Sequence, residues 1–288
     1  MKISLLTFAF FILSSFGAKA CGICGALMPG YIVASDKNHW ISTGCRYDGF
    51  GVFPGFSGSS IQMQHLDLQA KVMIKNKVEV IAMLPYQIVS ARSEKYVLKQ
   101  YSGWCDFTLI GRRVFVKRDK NRAMRLAVGG GVELPAGNRK GEKYEPLMQP
   151  GSGSLDWIAG GTFGVRNRNL GLNSQLQLKW NGVSQDREHR ANSIDFAAEG
   201  FGEKQLGKGI FIQPKCGIFG QFSGRSSVSG EVDSALSNQC YMGTSAGVNL
   251  GNKKWFINIS MRKSIWNNAQ NRDNNYNFGC NISLYYIL

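Results

Sequence analysis

The sequence predicts an all-β protein, an antiparallel up-and-down transmembrane β-barrel of about twelve strands. Strand-like segments recur along the chain with connectors that alternate between short and long. Several of these segments alternate apolar and polar residues one by one. No stretch of the chain offers the ~18–20 uninterrupted apolar residues that a membrane-crossing helix needs, so any insertion must use strands.

Residues 1–20 read as a signal peptide. Lys2 supplies the charged start, Ile3 to Leu13 the apolar run, and Ala18-Lys19-Ala20 a small-x-small cleavage site. Residues 21–39 form a cysteine-containing segment, and 40–288 the barrel. No Pro/Ser linker or composition break divides the latter, so one domain is expected.

The strands are expected at 40–49, 62–74, 78–88, 102–116, 123–134, 154–165, 170–181, 193–202, 208–222, 240–250, 254–263 and 276–287. After the second, fourth, sixth, eighth and tenth come tight polar connectors: 75–77, 117–121, 167–169, 203–205 and 251–253. The others are longer than hairpins usually need. A barrel in the outer membrane has one rim of short periplasmic turns and one of long external loops. The rhythm therefore predicts a location, the Gram-negative outer membrane, and an orientation.

Alternation is clearest in four strands. In the second, Leu66, Leu68, Ala70, Val72 and Ile74 share one face and His65, Asp67, Gln69 and Lys71 the other. The seventh sets Leu172, Leu176 and Leu178 against Asn173, Gln175 and Gln177. The eleventh sets Trp255, Ile257 and Ile259 against Phe256, Asn258 and Ser260. The last sets Cys280, Ile282 and Leu284 against Gly279, Asn281 and Ser283. In a barrel the apolar set meets lipid and the polar set lines the lumen. A soluble secreted β-sandwich alternates too, with its apolar face inward. Aromatics at strand ends (Trp40, Tyr86, Trp104, Trp157, Trp180, Trp255, Tyr286) favour the membrane, where such residues form interfacial girdles. The first, fourth and ninth strands alternate poorly.

By this parity the charged lumen-lining candidates are His65, Asp67, Lys71, Glu79, Lys179, Asp195, Glu199 and Arg262. Rings of charge tune passage by sign and size, and cross-lumen pairing that merely stabilises the barrel is the other reading of the same residues. The formal charge of +15 is compatible with nucleic-acid binding. The excess sits in turns, however (Lys75, Lys77, Arg118, Lys120, Arg166, Arg168, Lys253, Lys254), where it meets anionic lipid headgroups. No nucleic-acid partner is expected.

Gly130-Gly131-Val132-Glu133-Leu134-Pro135-Ala136-Gly137 and Pro150-Gly151-Ser152-Gly153-Ser154-Leu155-Asp156 resemble the paired turn motif of a family of Gram-negative outer-membrane barrels. These are often labelled transporters and are related to barrel proteins of phenol and meta-pathway degradation. Leu84-Pro85-Tyr86, Gly103-Trp104-Cys105-Asp106 and the Cys21-Gly22-Ile23-Cys24 start also match. The resemblance covers about residues 21–181. It departs at Ala136, where Thr is usual, and at Cys105, where Gly precedes the Asp. It implies a barrel fold and an outer-membrane location, with Gly130, Leu134, Pro135, Gly137, Pro150, Gly151, Gly153 and Asp156 as the turn motif. Fold-level likeness is a weak warrant for a substrate. The final strand, Gly279-x-x-Ile282-x-Leu284-x-Tyr286, resembles the signal read by the barrel-insertion machinery, without its usual final Phe.

Glycine-rich Pro150–Gly153 carries no Lys-Ser/Thr pair opening a helix, so it reads as a sharp turn rather than a phosphate loop. Of seven cysteines, Cys216 and Cys280 share faces with apolar neighbours and read as small hydrophobes. Cys21 and Cys24 are spaced for a soft metal, a local disulfide or no role, and lack a second ligand pair. The residues before Cys21 suit lipidation poorly. No motif sets a nucleophile beside a base, so no enzyme and no cofactor are expected. The leading expectation is a passive channel for small solutes, with outer-membrane lipids and the insertion machinery as partners. A barrel-anchored module that binds metal or a partner through Cys21 and Cys24 is the alternative, and the soluble sandwich a second.

Overall fold

A computed structural model describes residues 39–51, 60–93, 96–137, 150–184, 188–207, 209–228, 231–233, 240–267 and 276–288. The 1–20 segment and Cys21 and Cys24 lie outside the described residues. The strands in chain order are β1 (Trp40–Gly51), β2 (Ser60–Ile74), β3 (Val78–Ser93), β4 (Tyr96–Trp104), β5 (Phe107–Arg118), β6 (Arg122–Leu134), β7 (Asp156–Asn167), β8 (Leu170–Trp180), β9 (Glu188–His189), β10 (Ser193–Gly202), β11 (Lys204–Gln205), β12 (Phe211–Ser223), β13 (Ser226–Val228), β14 (Glu231–Asp233), β15 (Cys240–Gly251), β16 (Trp255–Asn267) and β17 (Tyr276–Ile287).

Twelve staves form one closed wall in the order β10-β8-β7-β6-β5-β3-β2-β1-β17-β16-β15-β12, and β10 pairs with β12 to complete the ring. All pairings are antiparallel, including the seam in which Trp40 opposes Ile287 and Asp48 opposes Gly279. Closure leaves no sheet edge, which is the condition for backbone to cross a membrane as strands. It also removes the two-sheet sandwich from consideration. Among the described residues no helix is long and apolar enough to span a bilayer.

The wall is apolar outside and polar inside. Leu172 (42%), Leu176 (51%) and Ile259 (43%) stand exposed on the outer face, while Asn173, Gln175, Gln177 and Asn258 are buried on the inner one. In water this distribution would expose a continuous hydrophobic belt; in a bilayer the belt is solvated by acyl chains. Trp104, Trp157, Trp180, Trp255 and Tyr286 are exposed at strand ends on that face. Trp40 departs from the expected girdle. It turns inward and packs edge-on against Tyr285, ring centroids 5.4 Å apart.

Four of the five short connectors are tight turns, whereas the one expected at 203–205 runs from Glu203 to Ile210 and contains β11. Between β2 and β3, Lys75 (φ 47°) and Asn76 (φ 56°) both take left-handed backbone, and Lys77 N donates to Ile74 O at 3.0 Å. Two positive φ values mark the mirror-image turn whose twist suits a two-residue hairpin. The first and last described residues share this rim: Leu288 N donates to His39 O at 3.0 Å.

Three expected boundaries need correction. The long loop expected at 89–101 is mostly strand: β3 runs on to Ser93 and pairs with β4 as a hairpin above the wall. The single strand expected at 102–116 is broken at Cys105-Asp106 into β4 and β5. Pro85 explains the break. It has no N–H to offer the ladder, and β3 pairs with β5 only through Met83 and with β4 only from Tyr86. The ninth strand begins at Phe211 rather than 208, after the two-residue β11. On the long-loop side β14, β13 and β9 form a small separate sheet.

Candidate functional site: the polar lumen and its outer rim

Period-two backbone geometry sends every second side chain of each stave into the lumen, where they settle into separate polar clusters and apolar ones such as Ile81, Met83, Ile110 and Ile158. On one wall Glu79 (β3) receives Arg125 (β6) at 2.5 Å and Arg112 (β5) at 3.6 Å, and Arg125 also donates to Thr162 Oγ1 at 3.2 Å. All three charged groups are buried, so each guanidinium is held by a partner in a medium that penalises a bare charge.

Across the lumen, Arg46 Nε lies 2.9 Å from Asp48 Oδ2, and its Nη1 lies 4.0 Å from Asp67 Oδ2. His65 Nε2 sits 3.8 Å from the same Asp48 oxygen. Lys215 Nζ donates to Glu199 Oε2 at 3.0 Å, and Ser245 Oγ donates to Glu199 Oε1 at 3.0 Å. A ladder of amides crosses four staves: Asn249 donates to Gln213 at 2.6 Å, Asn258 to Asn249 at 2.5 Å, and Asn281 to Asn258 at 3.0 Å. The arginine–aspartate, asparagine and lysine groups surround a central cavity of about 30 Å³. That is room for one or two waters.

Toward the short-turn rim the lumen has an aromatic floor. Phe256 and Tyr285 stack with centroids 4.3 Å apart, joined by Phe211 and Ile287, and Lys71 Nζ stands 5.8 Å over the Trp40 ring. Toward the long-loop rim, Lys179 Nζ bridges Glu133 Oε1 at 2.8 Å and Asp156 Oδ2 at 3.1 Å.

All eight charged candidates lie on the inner face. His65, Asp67, Glu79, Lys179 and Glu199 are in the ion-pair clusters just described. Asp195 is buried and accepts from Ser193 Oγ at 3.2 Å. Lys71 stands over Trp40, and Arg262 lies 5.6 Å from the centroid of the Phe219 ring. The structure adds partners that sequence reasoning passed over: Arg46, Asp48, Arg112, Arg125, Glu133 and Lys215. Arg46, Asp48, Arg112 and Lys215 belong to the three poorly alternating strands, where only counting from a firm register position finds the inner face.

The turn motif builds the rim. Asp106, at the β4/β5 break, accepts from Gly137 N at 2.9 Å and from Ser152 N at 2.5 Å, so one carboxylate clasps both ends of the loop between them. A Cβ on Gly137 would stand 2.6 Å from Gly151 Cα, a distance no side chain tolerates, so both glycines are needed for the two backbones to meet. Gly153 follows at φ 69° and Pro150 is buried beside it. Asp156 accepts from Ser154 Oγ at 2.6 Å and from Gly182 N at 3.0 Å, tying the next strand to the following loop. Gly130 and Leu134 lie on the outer face of β6, and Pro135 is exposed just beyond its end.

Among the described residues no group of three or more His, Cys, Asp or Glu side chains is placed to hold a metal ion. Described Cys45, Cys105, Cys216, Cys240 and Cys280 are free thiols. The arrangement lines the lumen with ion-paired and hydrogen-bonded polar side chains.

No family model and no curated protein matches the chain. Solved structures do. The COG4313 outer membrane channel from Pseudomonas putida F1 is similar with a TM-score of 0.66 at 12% identity, over 87% of this chain and 96% of that one. The transport unit of the autotransporter AIDA-I from Escherichia coli aligns with a TM-score of 0.50 at 9% identity, over 91% and 94%. The NanC porin aligns at 0.44 with 7% identity, over 87% and 100%. Identities this low speak to architecture alone. The chain has the fold of a closed, 12-strand antiparallel outer-membrane β-barrel.

Proposed function

We propose that the protein is a passive outer-membrane channel for small polar solutes. The observation that carries this reading is the inverted barrel itself. An apolar belt faces lipid, and polar and charged side chains from all twelve staves, interrupted by apolar groups such as Ile81, Met83, Ile110 and Ile158, enclose a narrow interior. The likeness in fold to the Pseudomonas channel supports it. The central cavity of about 30 Å³ sets the scale: solutes pass only as far as side chains of the constriction yield, which favours molecules of a few heavy atoms. The short-turn rim, carrying Lys75, Lys77, Lys120, Arg168, Lys253 and Lys254, is read as periplasmic, against anionic headgroups of the inner leaflet.

The test is solute flux. Liposomes carrying the purified protein are expected to swell in glycerol-sized polar solutes and to exclude disaccharides. Swelling no faster than that of protein-free liposomes for every solute rejects the channel reading.

A further inference from the structure

Arg262 differs from the other arginines and lysines of the central lumen. Arg46, Arg112, Arg125, Lys179 and Lys215 each have a carboxylate oxygen within 4.0 Å. Arg262, on the inner face of β16, has no such ion pair among the described residues. Its guanidinium instead lies 5.6 Å from the Phe219 ring centroid. The acids within its electrostatic reach, Asp48 and Glu199, are engaged elsewhere: Asp48 by Arg46, and Glu199 by Lys215 and Ser245.

The register explains why this cation stands apart. Arg262 is opposite Gly279 on one side and Ser245 on the other, and Gly279 in turn is opposite Asp48. A glycine thus occupies the level between guanidinium and carboxylate, so no side chain fills the gap. The central cavity opens there, with Arg262, Ser260, Asn281 and Ser283 in its lining. A cation–π contact with an aromatic ring uses none of the planar fork of N–H donors, and that fork matches the two oxygens of a carboxylate.

We infer that Arg262 is a carboxylate subsite within the lumen, which selects small monocarboxylate solutes over neutral ones of the same size. This rests on the channel reading and sharpens it to a substrate class. Asp48, Asp67 and Glu199 match Arg46, Lys215 and Arg262 in number, so the site alone is formally neutral: one added negative charge is held by direct contact with Arg262, and a dianion such as phosphate is repelled by the flanking acids. Ser260, Ser283 and Asn281 border the same cavity, and they meet the hydroxyls of a hydroxy acid as the side chains of the constriction yield to it.

The experiment compares uptake of labelled glycerate and of its neutral counterpart glyceramide into liposomes carrying the full chain. The wild type is expected to favour glycerate. R262Q is expected to lower the glycerate-to-glyceramide ratio about tenfold, the size of one lost charge-assisted contact, while glyceramide uptake stays within about twofold. R262K, which keeps charge without the planar fork, should fall about threefold. K253Q, which removes a cation from an exposed turn, should leave the ratio unchanged. A wild-type ratio in R262Q, or in R262K if R262Q does not give the heat-modifiable folded form, overturns the inference. Should the wild type pass neither solute, the channel reading fails by itself. Carbon-13 line broadening of glycerate by the detergent-solubilised protein then decides the subsite: broadening lost in R262Q supports it, and equal broadening in both overturns it.

Discussion

Arg125 on β6 reaches past the intervening β5 to place Nη2 2.5 Å from Oε2 of Glu79 on β3. The contact joins staves that share no backbone hydrogen bonds, and Arg112 of β5 lies between them at 3.6 Å from the same carboxylate. One acid therefore holds two buried guanidinium groups. Glu79→Gln takes from both the carboxylate they share, and removing one partner of a buried pair costs about 3–5 kcal/mol. The expected result is a lower urea midpoint for loss of the heat-modifiable band. A midpoint equal to wild type would show that other groups compensate the arginines.

Leu176 and Gln175 are chain neighbours on opposite faces of β8, the first 51% exposed and the second buried at 6%. Near the middle of a lipid-facing wall, Leu176→Arg is expected to destabilise the barrel by about 2–4 kcal/mol in phospholipid bilayers. Gln175→Glu on the lumen side should cost less and change ion selectivity instead. Equal costs for the two in a bilayer-folding titration would contradict the assignment of faces.

How much of this was legible beforehand depended on the strand. In β2, β8, β16 and β17 the alternation of large apolar and polar residues fixes the faces outright, because a one-residue slip would turn every side chain over. In β5 the pair Arg112-Arg113 hides the answer, since two adjacent cations give no parity. Register from β3 shows that Arg112 turns inward to Glu79 while Arg113 stays outside over Phe115. The break at Cys105-Asp106 was equally hidden: its cause, Pro85, belongs to the neighbouring strand. The paired turn motif was visible as glycines and prolines, but not its organiser. Asp106 lies 31 residues before Gly137 and 46 before Ser152, and only the folded wall brings the three together.

Asp106→Ala should free both ends of the loop that Gly137 and Ser152 bound. Two charge-assisted bonds to backbone N–H are lost at the rim, while no stave loses a ladder bond. The expected outcome is faster cleavage within residues 138–149 by trypsin, whose targets Arg139, Lys140 and Lys143 lie there, with an unchanged heat-modifiable barrel. Unaltered cleavage would show that the clasp does not govern the loop.

The aromatic floor gives a prediction about width. Phe256 is buried to 1% and stacks on Tyr285, closing the lumen toward the short-turn rim. Phe256→Ala removes most of one face of that stack and should raise the flux of solutes that the wild type barely passes. A loss of stability of about 3–5 kcal/mol accompanies the truncation of a buried Phe. Flux that stays at the wild-type level in a folded variant would place the constriction elsewhere.

The central claim is that a membrane-spanning barrel encloses a path for small polar solutes, and single-channel recording of the purified protein in planar bilayers tests it most directly. The predicted result is discrete small conductance steps for the wild type and larger ones for Phe256→Ala. Recordings in which neither protein gives steps above a detergent control, although both run as heat-modifiable barrels, would contradict it.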